Sequence, residues 1–233
     1  MEYNYCNNDN FEDYSSGRVL YGGNGIPNFP VRLINEMFGR AVHYLNKKTD
    51  LTIYDPCCGG GYSLTVLGFF HSADIKKIYG SDIDKDMLEH AEKNLSLLKY
   101  KGLDERKQEL SLLFETYHKS SHKDALQSVE ILKKQLVKPV HSEVFQADCT
   151  KPLPHLDADI IITDVPYGNL VDWDNGEGDS LELMLDQLAH ISNKEMILAI
   201  SMDKKQKINT AEWNVLEKNN IGKRKFLIMS HSC

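Results

Sequence analysis

Short apolar stretches with strand character alternate along this chain with segments whose apolar residues recur every three or four positions. The first pair joins a predicted strand at 51–55 to a predicted helix at 62–70 through three consecutive glycines. Because parallel strands are joined by crossover connections, this alternation predicts a mostly parallel sheet with helices on both faces. A length of 233 residues is enough for one α/β domain with a substantial core, so a single domain over residues 1–233 is expected.

The remaining elements are predicted from the same periodicities. Further strands are expected at 77–82, 142–147, 158–163, 196–201 and 225–230, and further helices from about Pro30, over 84–100 and over 181–191. Residues 103–138 show two helical patterns and no strand, which predicts a helical insertion. Residues 1–28 look irregular, and we interpret them as an N-terminal arm.

An acidic residue ends the first predicted strand, and a glycine-rich turn follows it. Asp55 precedes Cys57, Gly59 and Gly61 in the run Asp-Pro-Cys-Cys-Gly-Gly-Gly. In an open parallel sheet, ligands bind outside the carboxyl ends of the strands, and glycines let a ligand approach the backbone. A dinucleotide-binding loop has a third glycine where this chain has Leu64. A carboxylate beside pyrophosphate would be repulsive, whereas it suits the cationic ammonium and sulfonium of S-adenosylmethionine (SAM), the cofactor predicted here.

Two further carboxylates follow predicted strands. Asp82 ends the second strand, where a carboxylate can accept hydrogen bonds from both ribose hydroxyls, and Ile83 would pack on the adenine. Asp84 is interpreted as the cap of the next helix. Asp148 follows the third strand and is predicted to accept from the adenine amino group, with a simple turn residue as the alternative.

The fourth predicted strand runs into Thr-Asp-Val-Pro-Tyr-Gly at 163–168. This resembles the [D/N]PPY motif of methyltransferases that act on planar nitrogens, with valine in place of the first proline. Asp164 would accept N–H bonds from the target and act as general base at a ring N–H. Tyr167 would stack on a base removed from its helix. The predicted catalytic residues are therefore Asp164, Pro166 and Tyr167.

Charge is unevenly distributed along the chain. The formal net charge of −7 counts against indiscriminate nucleic-acid binding, yet residues 204–225 carry seven Lys or Arg against two Glu. This stretch is a candidate phosphate-binding surface, with a solvated rim as the alternative; its candidates are Lys204, Lys205, Lys207, Lys223 and Arg224. Trp173 is a second stacking candidate or a rim aromatic. Arg32 would contact a phosphate or the SAM carboxylate, or form a structural ion pair.

Several classes of protein are disfavoured by composition. Five cysteines with no CxxC pair predict neither a disulfide framework nor a zinc site, and a reducing cytoplasm fits best. Cys57 and Cys58 are interpreted as packing residues, because the motif after the fourth strand contains no cysteine. No metal is expected. The sequence contains neither a long apolar run nor a secretory signal, so no membrane span is predicted. Because no feature requires a partner subunit, a monomer is expected.

Together these residues resemble the avilamycin-resistance ribosomal RNA methyltransferase family, of the AviRa type. The resemblance lies in residues 29–33, the double-cysteine segment 55–62, its Leu-Thr-Val-Leu-Gly continuation at 64–68, and the acidic segments 81–84 and 163–168. It implies a Rossmann-like SAM-dependent methyltransferase fold and a guanine in large-subunit (23S) ribosomal RNA, methylated on a ring-edge nitrogen, as the target. It also implies a role in antibiotic resistance, although a housekeeping modification would leave the same motifs.

The residues themselves leave three alternatives open. One is a methyltransferase for another planar nitrogen, such as adenine in DNA or a glutamine amide in protein. Another is a non-catalytic module that binds SAM or RNA. The third, a dinucleotide-dependent oxidoreductase, is disfavoured by Asp55 and by the missing third glycine. Residues 1–28 and 169–180 match the family poorly, so the modified nucleotide is not predicted.

Overall fold

The computed structural model describes residues 1–23, 28–165, 180–191, 195–208 and 212–231. The strands in these ranges are β1 (Leu51–Asp55), β2 (Ile75–Asp82), β3 (His141–Gln146), β4 (Ile160–Asp164), β5 (Ile197–Asp203), β6 (Trp213–Ile221) and β7 (Arg224–His231). The helices are α1 (Val31–Tyr44), α2 (Tyr62–Phe70), α3 (Lys85–Ser96), α4 (Tyr100–Tyr117), α5 (Ser120–Gln135) and α6 (Ser180–Ile191).

The strands form one sheet in the order β3-β2-β1-β4-β5-β7-β6. Strands β1 to β5 are mutually parallel, and β7 runs antiparallel to both β5 and β6. The mostly parallel sheet predicted from the alternating pattern is therefore confirmed. The strand order reverses between β1 and β4, and in open α/β sheets the crevice at such a switch point, outside the carboxyl ends of the strands, is where ligands bind.

Both faces of the sheet are covered by apolar side chains. Ile53 belongs to a cluster that joins helices α1 to α5, whereas the next residue, Tyr54, belongs to a second cluster that contains α6. Successive side chains of a strand point to opposite faces, so this division shows helices packing on both sides. The central strands are buried on both faces, and this packing determines where the residues at their ends lie.

One predicted helix boundary is wrong. The helix expected over 84–100 ends at Ser96, and Tyr100 begins the next helix, so the insertion starts three residues earlier than predicted. The carbonyl of Leu98 accepts a hydrogen bond at 3.0 Å from the N–H of Val140, which enters β3, and Lys99 is extended. The apolar periodicity conceals this break, because Leu97 and Leu98 within it are buried as completely as the apolar residues of the helices.

Strand β6 is not predicted from the sequence, in which the basic stretch 204–225 contains no expected strand before residue 225. It is an edge strand that pairs on one side with β7, and most of its side chains are exposed. A strand with one exposed face and polar residues such as Asn214 and Lys218 lacks the apolar run by which buried strands are recognised. It therefore forms because of its partner strand, to which a tight turn at 222–223 connects it.

The N-terminal arm is part of the core. Val19 and Leu20 are fully buried, and Glu12–Tyr14 forms one turn of 3-10 helix. The carboxylate of Glu36, itself fully buried, accepts hydrogen bonds from the backbone N–H groups of Asn4 and Tyr5 at 2.8–3.0 Å. The arm is thereby tied to α1, which also anchors it through Arg40 and the carbonyl of Glu2.

Within the ranges that the structure covers, no helix is long and apolar enough to cross a membrane. The same ranges contain no cluster of three His, Cys, Asp or Glu side chains arranged to hold a metal ion.

Candidate active site at the carboxyl edge of the sheet

The loop between β1 and α2 places a buried carboxylate beside two glycines with left-handed backbone conformation. Asp55 is 4% exposed, and its Oδ1 accepts a hydrogen bond from the N–H of Cys57 at 3.0 Å. Gly59 and Gly61 have φ of +50° and +71°. A Cβ on Gly59 would meet nothing within 4 Å, whereas a Cβ on Gly61 would lie 2.9 Å from the Cα of Ala91. Gly61 thus allows α3 to approach the loop, and Gly59 faces open space.

Asp82 links the end of β2 to this loop. Its Oδ2 accepts from the N–H of Gly59 at 2.8 Å, and its Oδ1 accepts from the N–H of Asp84 at 3.0 Å. The next side chain, Ile83, is 60% exposed, so its apolar surface is accessible beside the loop. Asp84 caps α3 by accepting from the N–H groups of Asp86 and Met87, so its predicted role as a helix cap is confirmed.

Asp148 lies just beyond the end of β3, on the same edge. Its Oδ1 accepts hydrogen bonds from the N–H and the hydroxyl of Thr150 at 3.0 and 2.6 Å, and Lys151 lies 3.5 Å away. Partial burial tends to raise the pKa of Asp148, but the Thr150 hydrogen bonds and the Lys151 charge outweigh it and lower the pKa. This residue therefore has the turn role that was its alternative interpretation. A contact with adenine stays a prediction.

The carboxyl group of Asp55 is affected by burial and by the carboxylates at the neighbouring strand ends. Burial raises the pKa of Asp55 to about 7; the Thr163 hydroxyl and the Cys57 N–H lower it, and the charges of Asp82 and Asp164 raise it further. A buried carboxylate surrounded by other carboxylates is a poor anion at neutral pH unless a cation accompanies it. The edge is therefore electrostatically suited to a positively charged ligand.

The thiols of the loop are packed and protonated. The Sγ atoms of Cys57 and Cys149 lie 3.6 Å apart, and contact with Cys149 together with burial raises the pKa of Cys57 well above its usual value. Burial likewise raises the pKa of Cys58, which packs against the backbone of Gly80. A protonated thiol is a weak nucleophile, which favours the interpretation of these cysteines as packing residues.

Asp164 ends β4 immediately beside β1. Its side chain is 26% exposed, and its Oδ1 lies 3.9 Å from the Nε of Arg224. Burial raises the pKa of Asp164 to about 6, while the Ser201 hydroxyl and the Arg224 charge oppose that rise. The following N–H, of Val165, donates to the carbonyl of Ser201 at 2.9 Å and so fixes the direction in which the chain leaves the strand.

Three predicted site residues, Pro166, Tyr167 and Trp173, lie outside the described residues.

The basic candidates gather at this same edge. Lys204 and Lys205 follow the carboxyl end of β5, and the N–H of Lys204 donates to the carbonyl of Lys223 in the β6–β7 turn at 2.8 Å. The exposed members of the set are Lys204, Lys205, Lys207 and Lys223. Lys225, by contrast, is buried, and its Nζ donates to the carbonyl of Gln206. Arg224 is half-buried beside Asp164 and is therefore distinct from the exposed lysines.

Arg32 is held by the N-terminal arm. Its Nε donates to the carbonyl of Cys6 at 3.1 Å, its Nη1 donates to Asn8 at 3.4 Å, and its guanidinium lies 3.9 Å from the ring centre of Tyr3. These contacts give it a structural role in joining the arm to α1. Its contact with substrate stays a prediction.

Two residues of the site are not predicted from the sequence. Asn94 of α3 donates to the carbonyl of Gly60 at 2.8 Å and exchanges hydrogen bonds with the backbone of Tyr21, so it joins the loop to α3 and the arm. A polar residue inside a helix carries no sequence signal for such a role. Ser201 does have one, because it is a hydroxyl residue near the end of an apolar strand. The buried hydroxyls of Thr163 and Ser201 make no regular hydrogen bond among the described residues, so they act on Asp55 and Asp164 as nearby dipoles.

A sheet of this strand order, with an acidic residue and a glycine loop after β1 and further acids after β2 and β4, defines a Rossmann-like methyltransferase. The chain belongs to the family described as rRNA methyltransferase AviRa, whose family model matches residues 1–224. The resemblance inferred from the motifs is thereby confirmed, as is the fold class.

The individual relatives cover nearly the whole chain. The Streptomyces viridochromogenes protein named 23S rRNA (guanine(2535)-N(1))-methyltransferase is 34% identical over 227 residues, which are 93% of this chain and 90% of that protein. Two crystal structures of rRNA methyltransferase AviRa from Streptomyces viridochromogenes, at 2.4 and 1.5 Å, give TM-scores of 0.85 and 0.86. Their sequence identities are 33% and 32%; the matches cover 95% and 96% of this chain and 93% and 94% of theirs.

Proposed function

We propose that this methyltransferase transfers the methyl group of SAM to a guanine nitrogen of large-subunit ribosomal RNA. The observation that carries the proposal is Asp164, a partly buried carboxyl group at the end of β4, directly beside the β1 loop. The relative named as a guanine-N(1) methyltransferase of 23S rRNA supports the choice of substrate. The proposal rests on both the family and the placement of this acid.

The donor set at the edge fits SAM. Its two cationic groups match the buried carboxylate of Asp55, and a nearby cation would favour the ionised form of that acid. Gly59 faces open space, so a ligand can approach the backbone there, and the carboxylate of Asp82 beside it suits ribose hydroxyls. The exposed Ile83 offers an apolar surface for the adenine, and Asp148 stands at the next strand end. Bound SAM supplies an electrophilic methyl group.

The work left to the chain is to make a guanine nitrogen nucleophilic. The N1 nitrogen carries a proton, and its lone pair is delocalised into the ring, which makes it a poor nucleophile. The proton must therefore leave N1 as the new bond to the methyl group forms. A carboxylate with a pKa of about 6 is largely ionised at pH 7 and still basic enough to accept that proton, as a general base should be. Tyr167 would stack on the extruded base, and Pro166 would fix the turn between the two residues. Holding the base in line with the methyl group supplies much of the remaining rate.

The exposed lysines of the edge provide the RNA contacts in this proposal. Lys204, Lys205 and Lys223 lie near the carboxyl ends of the parallel strands, as Asp164 does, and Lys207 comes shortly after Lys205 in the chain. Each lysine that neutralises a phosphate strengthens RNA binding without discriminating between sequences, and it makes the affinity more dependent on salt concentration. Ribosomal RNA would be recognised through its unpaired segments and its shape. Trp173 and Arg32 are proposed as further contacts.

Domain organisation and assembly follow from the same proposal. We propose a single domain over residues 1–233, because the N-terminal arm and helices α1 to α5 share one apolar cluster. We also propose that it acts as a monomer, as expected from the sequence. An enzyme of ribosomal RNA acts where ribosomes are made and used, which is the cytoplasmic location expected from the sequence.

The test compares two aspartates at opposite ends of the same strand. Asp164→Asn keeps the size of the side chain and removes the base, so methyl transfer to ribosomal RNA should fall at least a hundredfold, in the range of general acid–base catalysis. Its affinity for SAM, measured by calorimetry, should stay within a few-fold of the wild-type value. The control is Asp159→Asn, at the amino end of β4, where Asp159 accepts from the N–H of Thr52 at 2.7 Å.

The control variant should retain methyl transfer even if it unfolds at a lower temperature. Full activity of Asp164→Asn would remove Asp164 from the mechanism. If the wild-type protein labels DNA or protein in place of RNA, it is still a methyltransferase, but the proposed RNA substrate is wrong. SAM binding by the wild-type protein without turnover on any acceptor would favour a non-catalytic module.

A further inference from the structure

The antiparallel direction of β7 brings an arginine to the catalytic edge. Arg224, the first residue of β7, pairs with Asp203, the last residue of β5. A strand parallel to β5 in this position would have begun beside the amino ends of the parallel strands, away from Asp164. Because β7 runs the other way, the Nε of Arg224 lies 3.9 Å from Oδ1 of Asp164, and the two side chains are only 28% and 26% exposed.

Both members of the pair are held in place by their neighbours. The guanidinium of Arg224 lies 5.3 Å from the ring centre of Phe29, just before α1. Asp164 pairs in register with Ser201 of β5, a fully buried residue whose carbonyl also binds the N–H of Val165. A half-buried arginine packed on an aromatic ring is less free to follow a flexible RNA backbone than the exposed lysines that flank it.

We propose that Arg224 is a positioning residue for methyl transfer, which orients the carboxylate of Asp164 and keeps it ionised, and is not a phosphate contact. The inference rests on the proposed role of Asp164 as the base. It assigns to Arg224 a different task from Lys204, Lys205 and Lys223, with which the sequence had grouped it.

The charge balance around Asp164 explains why such a residue is needed. The described groups that face it are Asp55 from β1, Ser201 from β5 and Arg224 from β7. Burial favours the protonated form of Asp164, which cannot accept a proton from the target guanine. An opposite charge within about 4 to 6 Å lowers the pKa of a carboxyl group by roughly 1 to 3 pH units. Arg224 is the one cation among these groups, so its loss should move the pKa of Asp164 upward.

The test uses three variants at two adjacent positions, Lys223 in the β6–β7 turn and Arg224 at the start of β7. Arg224→Gln removes the charge and Arg224→Lys retains it, while Lys223→Gln removes an exposed charge next to it. The measured quantity is kcat for methyl transfer to ribosomal RNA between pH 5.5 and 8.5, conditions that we expect to span the ionisation of Asp164 because its pKa is about 6. Circular dichroism and SAM calorimetry establish that each variant is folded and binds cofactor.

Arg224→Gln should move the acidic limb of the profile up by about 1 pH unit, from the loss of a nearby opposite charge. Starting from a pKa of about 6, that shift lowers kcat about threefold near pH 6.5 and about eightfold at pH 5.5. Arg224→Lys should keep the limb near its wild-type position. Lys223→Gln should raise KM for RNA and leave the limb unchanged. If Arg224→Gln behaves like Lys223→Gln, with a higher KM and an unmoved limb, Arg224 is a phosphate contact and the inference is wrong.

A second measurement is independent of turnover. The pKa of Asp164 can be followed by carbon-13 NMR of the aspartate carboxyl groups, assigned with Asp164→Asn, in wild-type protein and in Arg224→Gln without RNA. A higher pKa in the variant supports the inference even if the natural acceptor is not RNA. An identical pKa overturns it even if the proposed function is correct.

Discussion

Replacing Gly61 with alanine should destabilise the folded protein by about 2 to 5 kcal/mol, and two separate costs contribute. A left-handed backbone, here with φ of +71°, costs an L-residue about 1 to 2 kcal/mol. The added Cβ would also lie 2.9 Å from the Cα and 3.1 Å from the Cβ of Ala91, and relieving such overpacking costs about 1 to 3 kcal/mol. In a protein of this size, each kcal/mol lowers Tm by roughly 2 to 4 °C.

Gly59→Ala is the matched control in the same loop. Its φ of +50° carries the same backbone cost of about 1 to 2 kcal/mol, but its Cβ would meet no atom within 4 Å. The new methyl group would instead stand in the space proposed for SAM, so we expect SAM affinity to fall at least about tenfold, which is a loss of about 1.4 kcal/mol.

Thermal unfolding and SAM calorimetry on both variants separate the two effects. Gly61→Ala should be the less stable protein, and Gly59→Ala the weaker SAM binder relative to its stability. Equal Tm values for the two variants would refute the tight contact between the loop and α3. Wild-type SAM affinity in Gly59→Ala would refute the placement of the cofactor.

Three further predictions concern single side chains. The pKa of Asp55 is raised to about 7, against ~3.9 in an unfolded chain, so between those values the folded protein holds a proton that the unfolded chain has lost, and stability falls as pH rises. Asp55→Asn should reduce this fall in the free energy of unfolding between pH 5 and pH 8, which urea unfolding measures. An identical pH dependence in the wild-type and variant proteins would count against a buried carboxyl group with a raised pKa. Glu36→Ala should cost about 3 to 5 kcal/mol in urea unfolding, because Arg40 loses a buried partner at 2.8 Å and the arm loses its anchor, whereas the exposed Glu115→Ala should cost almost nothing. Cys58→Ala should keep turnover within about twofold, because a protonated, packed thiol takes no part in the chemistry; complete loss of turnover with SAM binding intact would make it a nucleophile.

Local sequence signals were sufficient where an element is delimited by its own residues. Strand β1 and helix α2 were predicted with the bounds that the structure gives them, because an apolar run ends at Asp55 and a glycine turn precedes the helix. The cap at Asp84 was predicted for the same reason. Strand β6 was not predicted, because an edge strand with exposed polar side chains is stabilised by its partner, and pairing between distant segments leaves no local period.

The residues of the site also divide into those that the sequence predicts and those that only the sheet topology reveals. The acids after β1, β2 and β4 were predicted to meet, since parallel strands end at one edge, and the structure places Asp55 and Asp82 around one loop with Asp164 beside them. The separation of Arg224 from its neighbouring lysines was not predicted, because it depends on the antiparallel direction of β7. Composition places all these cations in one stretch, and only the sheet distinguishes the half-buried one from the exposed ones.

The central claim is methyl transfer to a guanine of large-subunit ribosomal RNA, and direct labelling tests it. The wild-type protein would be incubated with methyl-tritiated SAM and, separately, ribosomal RNA from cells lacking this gene, duplex DNA and ribosomal protein. We predict that label enters the large-subunit RNA and is recovered by nucleoside analysis as a methylated guanosine. Label recovered only in DNA or protein, or in a nucleoside other than guanosine, would contradict the account.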